Sequence, residues 1–187
     1  MLDGIRLFCR RGAPHVCLIL CLMWAGSAAA QNSSEATSEA VPKLGEQSGR
    51  TGLPLPRFVS FRAPKVNLRT GPGTRYPIDW VYTRQELPVE IIDEFDNWRR
   101  IRDWQGTVGW VHQSMLQARR SALVTGERRL LRAEPLGEAA GIAWLEVGVI
   151  ARLERCDETW CQVEVGKFTG WLRRDEFYGA YADENLP

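Results

Sequence analysis

The chain is 187 residues long, with a formal net charge of +1, 44% hydrophobic and 10% aromatic residues. This is globular composition, enough for one medium domain or two small ones. With 24 basic residues against 23 acidic ones, it lacks the surplus of Lys and Arg on one face that binding to nucleic acid requires, and a membrane-surface role is disfavoured in the same way.

Arg6, Arg10 and Arg11 precede a short apolar run that begins at Val16 and ends in the small residues Ser27 to Ala30. A basic start, an apolar centre and a small-residue end are the three parts of a secretory signal peptide. Ala28 and Ala30 fit the cleavage rule, so residues 1–30 are expected to leave with cleavage after Ala30. The apolar run is shorter than the roughly 20 residues that cross a bilayer, and no membrane span is expected to remain. Leu20 before Cys21 does not suit a lipoprotein signal, and Arg10–Arg11 reads as ordinary leader charge.

Export changes the meaning of the cysteines. Cys9, Cys17 and Cys21 leave with the leader, and Cys156 and Cys161 remain. In an oxidising compartment this pair reads as a disulfide, here across the polar turn Cys-Asp-Glu-Thr-Trp-Cys. A loop this short implies about 2 kcal/mol of stabilisation. Free thiols are the alternative. Two Cys are half of a zinc site and His112 lies far off in sequence, so neither metal nor cofactor is expected.

Residues 31–56 hold no aromatic residue and are rich in Ser, Glu, Gly and Pro. Such a stretch buries too little apolar surface to offset its ordering entropy, and it is expected to be a disordered linker.

From Phe58 onward the chain repeats itself. Leu68–Arg69 matches Leu131–Arg132, Trp98 matches Trp160, Ile101 matches Val163, and Gly109–Trp110 matches Gly170–Trp171. Residues 57–120 and 121–187 are therefore expected to be two copies of one unit. Apolar residues alternate over short runs, as in Leu87, Val89 and Ile91, or Cys161, Val163 and Val165. Turn residues separate the runs, among them Asp96–Asn97, Asp103 to Gly106, and Gly166 to Phe168. This predicts about five short antiparallel strands per unit. Only 112–118 and 173–178 suit a helical turn. The fold class is all-β, two small barrels in tandem. A unit of about 60 residues is marginal alone, and the link 117–126 carries Ala118, Ala122, Leu123 and Val124, so the barrels are expected to dock.

Asn67-Leu68-Arg69-Thr70-Gly71-Pro72-Gly73-Thr74, then Tyr76–Pro77 and Gly109-Trp110-Val111, resemble the bacterial SH3-like domain in the two-domain exported form of proteobacteria. The resemblance is strong over 63–117. It is weaker in the second unit, where Leu131-Arg132-Ala133-Glu134-Pro135 replaces the Gly-Pro-Gly turn, which puts a duplicated ligand site in doubt. The resemblance implies a partly open β-barrel and a binding role, often towards cell-wall peptidoglycan; the expected signal peptide directs the chain to the periplasm or, alternatively, outside the cell.

Within the first loop, Gly71 and Gly73 supply positive φ or close backbone approach around Pro72. Arg69 either braces the loop by bonding its carbonyls or reaches a ligand carboxylate. Trp98, Trp110, Trp160 and Trp171 recur in both units and read as packing. Tyr76, Trp80 and Trp104 border the loop or sit in a polar turn, and they read either as local packing or as a surface for stacking on a ligand.

Catalysis is not expected. Cys–His or zinc chemistry needs residues that the exported part does not supply. Asp93–Glu94 and Asp175–Glu176 are neighbours on strands, so their side chains point apart, and they read as solvated surface. Two functions follow: a non-catalytic module that binds a cell-envelope ligand, foremost peptidoglycan, or an adaptor that binds another envelope protein through a groove or an edge strand.

Overall fold

The computed structural model describes residues 47–186. The expected signal peptide and residues 31–46 of the expected linker lie outside the described residues. The last part of that linker is ordered: β1 (Gln47–Ser48) and β2 (Pro54–Leu55) pair as an antiparallel hairpin. Gly52, at φ +76°, donates to the Gly49 carbonyl to close the turn. Leu55 is buried, and Thr51 donates through its backbone N–H and its hydroxyl to the Glu94 carboxylate. What holds the end of the linker is a buried acid 43 residues further on.

Two seven-stranded antiparallel sheets follow. The first contains β3 (Arg57–Phe61), β4 (Val66–Arg69), β5 (Ile78–Tyr82), β6 (Pro88–Phe95), β7 (Trp98–Arg102), β8 (Val108–His112) and β9 (Leu116–Gln117). The second contains β10 (Ser121–Val124), β11 (Arg129–Arg132), β12 (Gly141–Leu145), β13 (Ile150–Cys156), β14 (Trp160–Val165), β15 (Phe168–Arg173) and β16 (Phe177–Tyr178). Their orders, β5-β4-β8-β7-β6-β3-β9 and β12-β11-β15-β14-β13-β10-β16, are the same, position for position. Each unit has two strands more than the alternation predicts; one of the two in each, β9 or β16, is two residues long and too short to show a period. Single 3-10 turns occupy Gln113–Met115 and Arg174–Glu176, and there is no α-helix among the described residues.

Each barrel has its own apolar centre. Phe61, Leu68, Val89, Ile101 and Val111 fill the first, and Leu131, Leu153, Val163 and Leu172 the second. The link becomes β10, buried along its length, and Leu123 joins the core of the first barrel. Phe58 meets Tyr178 edge-on at 5.0 Å and Tyr181 at 4.7 Å between ring centres. Ser121 donates to the Glu86 carbonyl at 2.6 Å, and the Tyr181 hydroxyl donates to Glu90 at 2.7 Å. Burial and this bond together push the Tyr181 hydroxyl pKa well up. The barrels dock, as the marginal size of each unit requires.

A candidate ligand cleft beside the first loop

The first loop leaves β4 at Arg69 and returns at β5. Arg69 donates to the Tyr76 carbonyl at 2.7 Å and to the Thr74 carbonyl at 3.2 Å, bonds that brace the loop. The Tyr76 ring lies against Gly71, where an added Cβ would come within 2.4 Å of it. Gly71 is therefore needed for close approach and not for positive φ. The same reasoning explains Gly109: a Cβ there would meet the buried Leu68 at 2.6 Å. With Gly109 fixed against the core, Trp110 stands half-buried opposite Arg69.

Between this loop, the end of β6 and the N-terminal hairpin lies a cleft of about 390 Å³, lined by Arg50, Leu55, Pro72, Asp93, Phe95 and Trp110 with Glu94 at its base. The Arg50 guanidinium stacks 5.0 Å over the Phe95 ring. The Asp93 side chain is exposed, one oxygen accepting from the Glu94 N–H at 2.8 Å. Glu94 is buried. Its side chain is 1% exposed, accepts from Arg57 at 2.6 Å and lies 3.4 Å from the Arg99 Nε. Burial by itself raises the Glu94 pKa; the donors from Arg57 and Thr51 outweigh it and hold the carboxyl below its ordinary value. The cleft thus offers one guanidinium, one free carboxylate and one indole edge, mounted on a rigid ion-paired base.

The neighbouring-carboxylate argument is half corrected. Asp93 is exposed, but Glu94 is not solvated surface, and nor is Glu176, which lies with Asp175 on a 3-10 turn instead of a strand and is buried against Arg132 at 3.2 Å. Partners at long sequence separation supply the pairing that makes their burial tolerable.

Of the sequence-selected residues, the structure brings Arg69 and Tyr76 together as supports of the loop, and neither lines the cleft. Trp80, 58% exposed, sits on β5 at the edge of the first sheet, beside exposed Ile78 and Val81. Trp104, 37% exposed, rides on a turn held by buried Asp103, which accepts from the Gln105 and Thr107 N–H groups and from the Tyr82 hydroxyl. Burial and that last bond push the Tyr82 pKa strongly up. Pro72 and Gly73 shape the loop, and Pro72 also faces the cleft. Arg50, Asp93, Phe95 and Trp110 were missed as cleft residues. Only Trp110 carried a signal, its recurrence as Trp171, and recurrence reads equally well as packing.

The disulfide between Cys156 and Cys161 forms, joining facing residues of β13 and β14 with Cα atoms 4.1 Å apart. Among the described residues, no group of three or more His, Cys, Asp or Glu side chains is placed to hold a metal ion.

A family model described as the bacterial SH3 domain matches the chain twice, over residues 62–117 and 125–179. No curated protein matches it. Similar solved structures include NlpC1 and NlpC2 from Trichomonas vaginalis, at 8% and 10% identity and a TM-score of 0.31 each. The matches cover 66% and 65% of this chain and 45% and 47% of those chains. An NlpC/P60 family protein from Bacillus cereus ATCC 10987 is similar at 13% identity and a TM-score of 0.30, over 70% of this chain and 58% of that one. The chain spans about half the length of these proteins.

Proposed function

This chain belongs to the bacterial SH3 domain family, and from that premise we propose that it is a non-catalytic module, exported to the periplasm, that binds peptidoglycan. Domains of the family often bind the cell wall and are generally without catalytic activity. The observation that carries the reading is the cleft beside the Gly-Pro-Gly loop. Its open groups suit a wall peptide: the Arg50 guanidinium takes a carboxylate, Asp93 takes an amino group, and Trp110 offers an apolar edge to sugar or alkyl carbons. Because the base is already fixed by Glu94, little ordering is needed on binding.

The test is co-sedimentation with purified sacculi at physiological salt. The wild-type chain is expected in the pellet, and the Arg50→Glu/Asp93→Lys variant largely in the supernatant. Wild-type protein left in the supernatant overturns the reading.

One observation favours the adaptor as a second reading. β5 is an edge strand with Ile78, Trp80 and Val81 all exposed, a surface that suits an added strand or an apolar partner segment. Crosslinking in the envelope, followed by mass spectrometry, is expected under this reading to recover one reproducible protein joined through β5, and an irreproducible profile counts against it.

A further inference from the structure

The second barrel departs in sequence where the Gly-Pro-Gly turn should stand, yet its loop has the same backbone. In the first loop Thr70 donates to Pro77, Gly73 to Gly71 and Tyr76 to Gly73. In the second, Ala133 donates to Ala140, Leu136 to Glu134 and Ala139 to Leu136. Each bond recurs 63 residues on. The strand beneath recurs as well, with register shifts at Leu68/Arg69 and Leu131/Arg132, and at Ile91/Asp93 and Leu153/Arg155. By this correspondence Glu134 stands at the place of Gly71, Pro135 at that of Pro72, and Trp171 at that of Trp110.

The loop change has a physical reason. A side chain at Gly71 would collide with the Tyr76 ring. The residue at the place of Tyr76 is Ala139, so the space is open and Glu134 fits there with its carboxyl exposed. A cleft of about 620 Å³ results, lined by Glu134, Pro135, Arg155, Asp157, Trp171 and Leu186. The Arg155 guanidinium stacks 5.0 Å over Trp171. Asp157 is exposed and accepts from the Thr159 and Trp160 N–H groups through one oxygen. The wall that the N-terminal hairpin supplies in the first barrel comes here from the C-terminal tail, where Cys156 donates to the Leu186 carbonyl at 3.0 Å.

We infer that the second barrel carries its own ligand cleft at the place equivalent to the first, and that it takes the same class of ligand, a short peptide with a free amino group and a free carboxylate. Arg155 receives the carboxylate, and Glu134 with Asp157 receives the amino group. The chain is then bivalent, and on a polymer that repeats the ligand the second contact becomes intramolecular and raises retention through effective concentration. This inference rests on the wall-binding reading.

The experiment is calorimetric titration of the intact chain with a soluble disaccharide–tetrapeptide muropeptide, paired with sacculus co-sedimentation. Arg155→Glu and Arg50→Glu alter exposed side chains, and circular dichroism and melting check that both variants remain folded. The wild-type chain is expected to bind two muropeptides, each variant one, and the double variant none. Loss of either cleft is expected to weaken sacculus retention about 100-fold. One site in the wild-type chain, or an Arg155→Glu variant that still binds like wild type, overturns the second cleft and leaves the wall-binding reading standing. No binding to muropeptide or sacculi by the wild-type chain overturns both.

Discussion

The two barrels fasten the same corner with different chemistry. Glu94 and Arg99 face each other across β6 and β7; Cys156 and Cys161 face each other at the equivalent place across β13 and β14. Each fastening also secures a chain segment alongside it: Glu94 holds Thr51 of the N-terminal hairpin, and Cys156 holds Leu186 of the tail. The corner must be closed and a terminal segment must lie against it, but the fold is indifferent to whether an ion pair or a covalent bond does the closing. The difference lies in what breaks each one, and the two can be attacked separately.

The largest effect is expected from Glu94→Ala. Arg99 is buried, and losing its acid leaves a desolvated charge without its carboxylate partner, so the substitution is expected to cost about 3–5 kcal/mol in a urea melt. A loss below about 1 kcal/mol shows that Glu94 is a bystander and that the comparison fails on the side of the first barrel.

Removal of the disulfide is next. The Cys156→Ser/Cys161→Ser chain is expected to lose about 2 kcal/mol, since the closed loop is short. Hydrogen exchange sharpens the contrast: protection is expected to fall at Cys156 and neighbouring residues of β13 and β14 and to hold in β6 and β7. Equal loosening of both barrels contradicts the separation of the two fastenings.

Acid distinguishes them a third way. Glu94 and Glu184 have carboxyls held below their ordinary value near 4.5 against the opposing effect of burial, Glu94 by Arg57 and Thr51, Glu184 by Arg120. The unfolded chain therefore binds more protons than the folded one as pH falls through this range. Their contribution is whole above about pH 4.5 and is lost as pH drops through the folded-state values. Stability is expected to decline on acidification below that point, and Glu94→Gln is expected to flatten the decline. An unchanged slope in Glu94→Gln removes that carboxyl from the account.

The smallest effect is expected at the contact between the barrels. Tyr181→Phe deletes the bond to Glu90 while keeping the ring against Phe58, at a cost of about 1 kcal/mol. A change within error in the melting midpoint shows that the Tyr181–Glu90 bond contributes nothing to holding the barrels together.

The fold was legible because its markers are local. Leu68–Arg69, Trp98 and Gly109–Trp110 recur with their spacing changed by only one residue at each step, and alternation marks the longer strands. The turn at Asp103 to Gly106 and the disulfide were legible for the same reason. The cleft was not, because its parts are distant in sequence: Glu94 is built from Arg57 and Thr51, 37 and 43 residues away. The second cleft was hidden by a compensated exchange, Glu134 for Gly71 together with Ala139 for Tyr76, in which each residue looks like a departure from the pattern until the other is placed beside it. Trp80 and Trp104 drew attention as aromatics in polar surroundings, and their exposure is real, but exposure alone does not bring residues to one site.

The most direct measurement is a nuclear magnetic resonance titration of the chain with soluble muropeptide, read at the tryptophan indole N–H signals. The indoles of Trp110 and Trp171 are expected to shift together with the backbone signals of Asp93 and Asp157, while those of Trp80 and Trp104 stay in place. Shifts confined to Trp80 and Trp104, or no shift at any indole, contradict binding at the paired clefts.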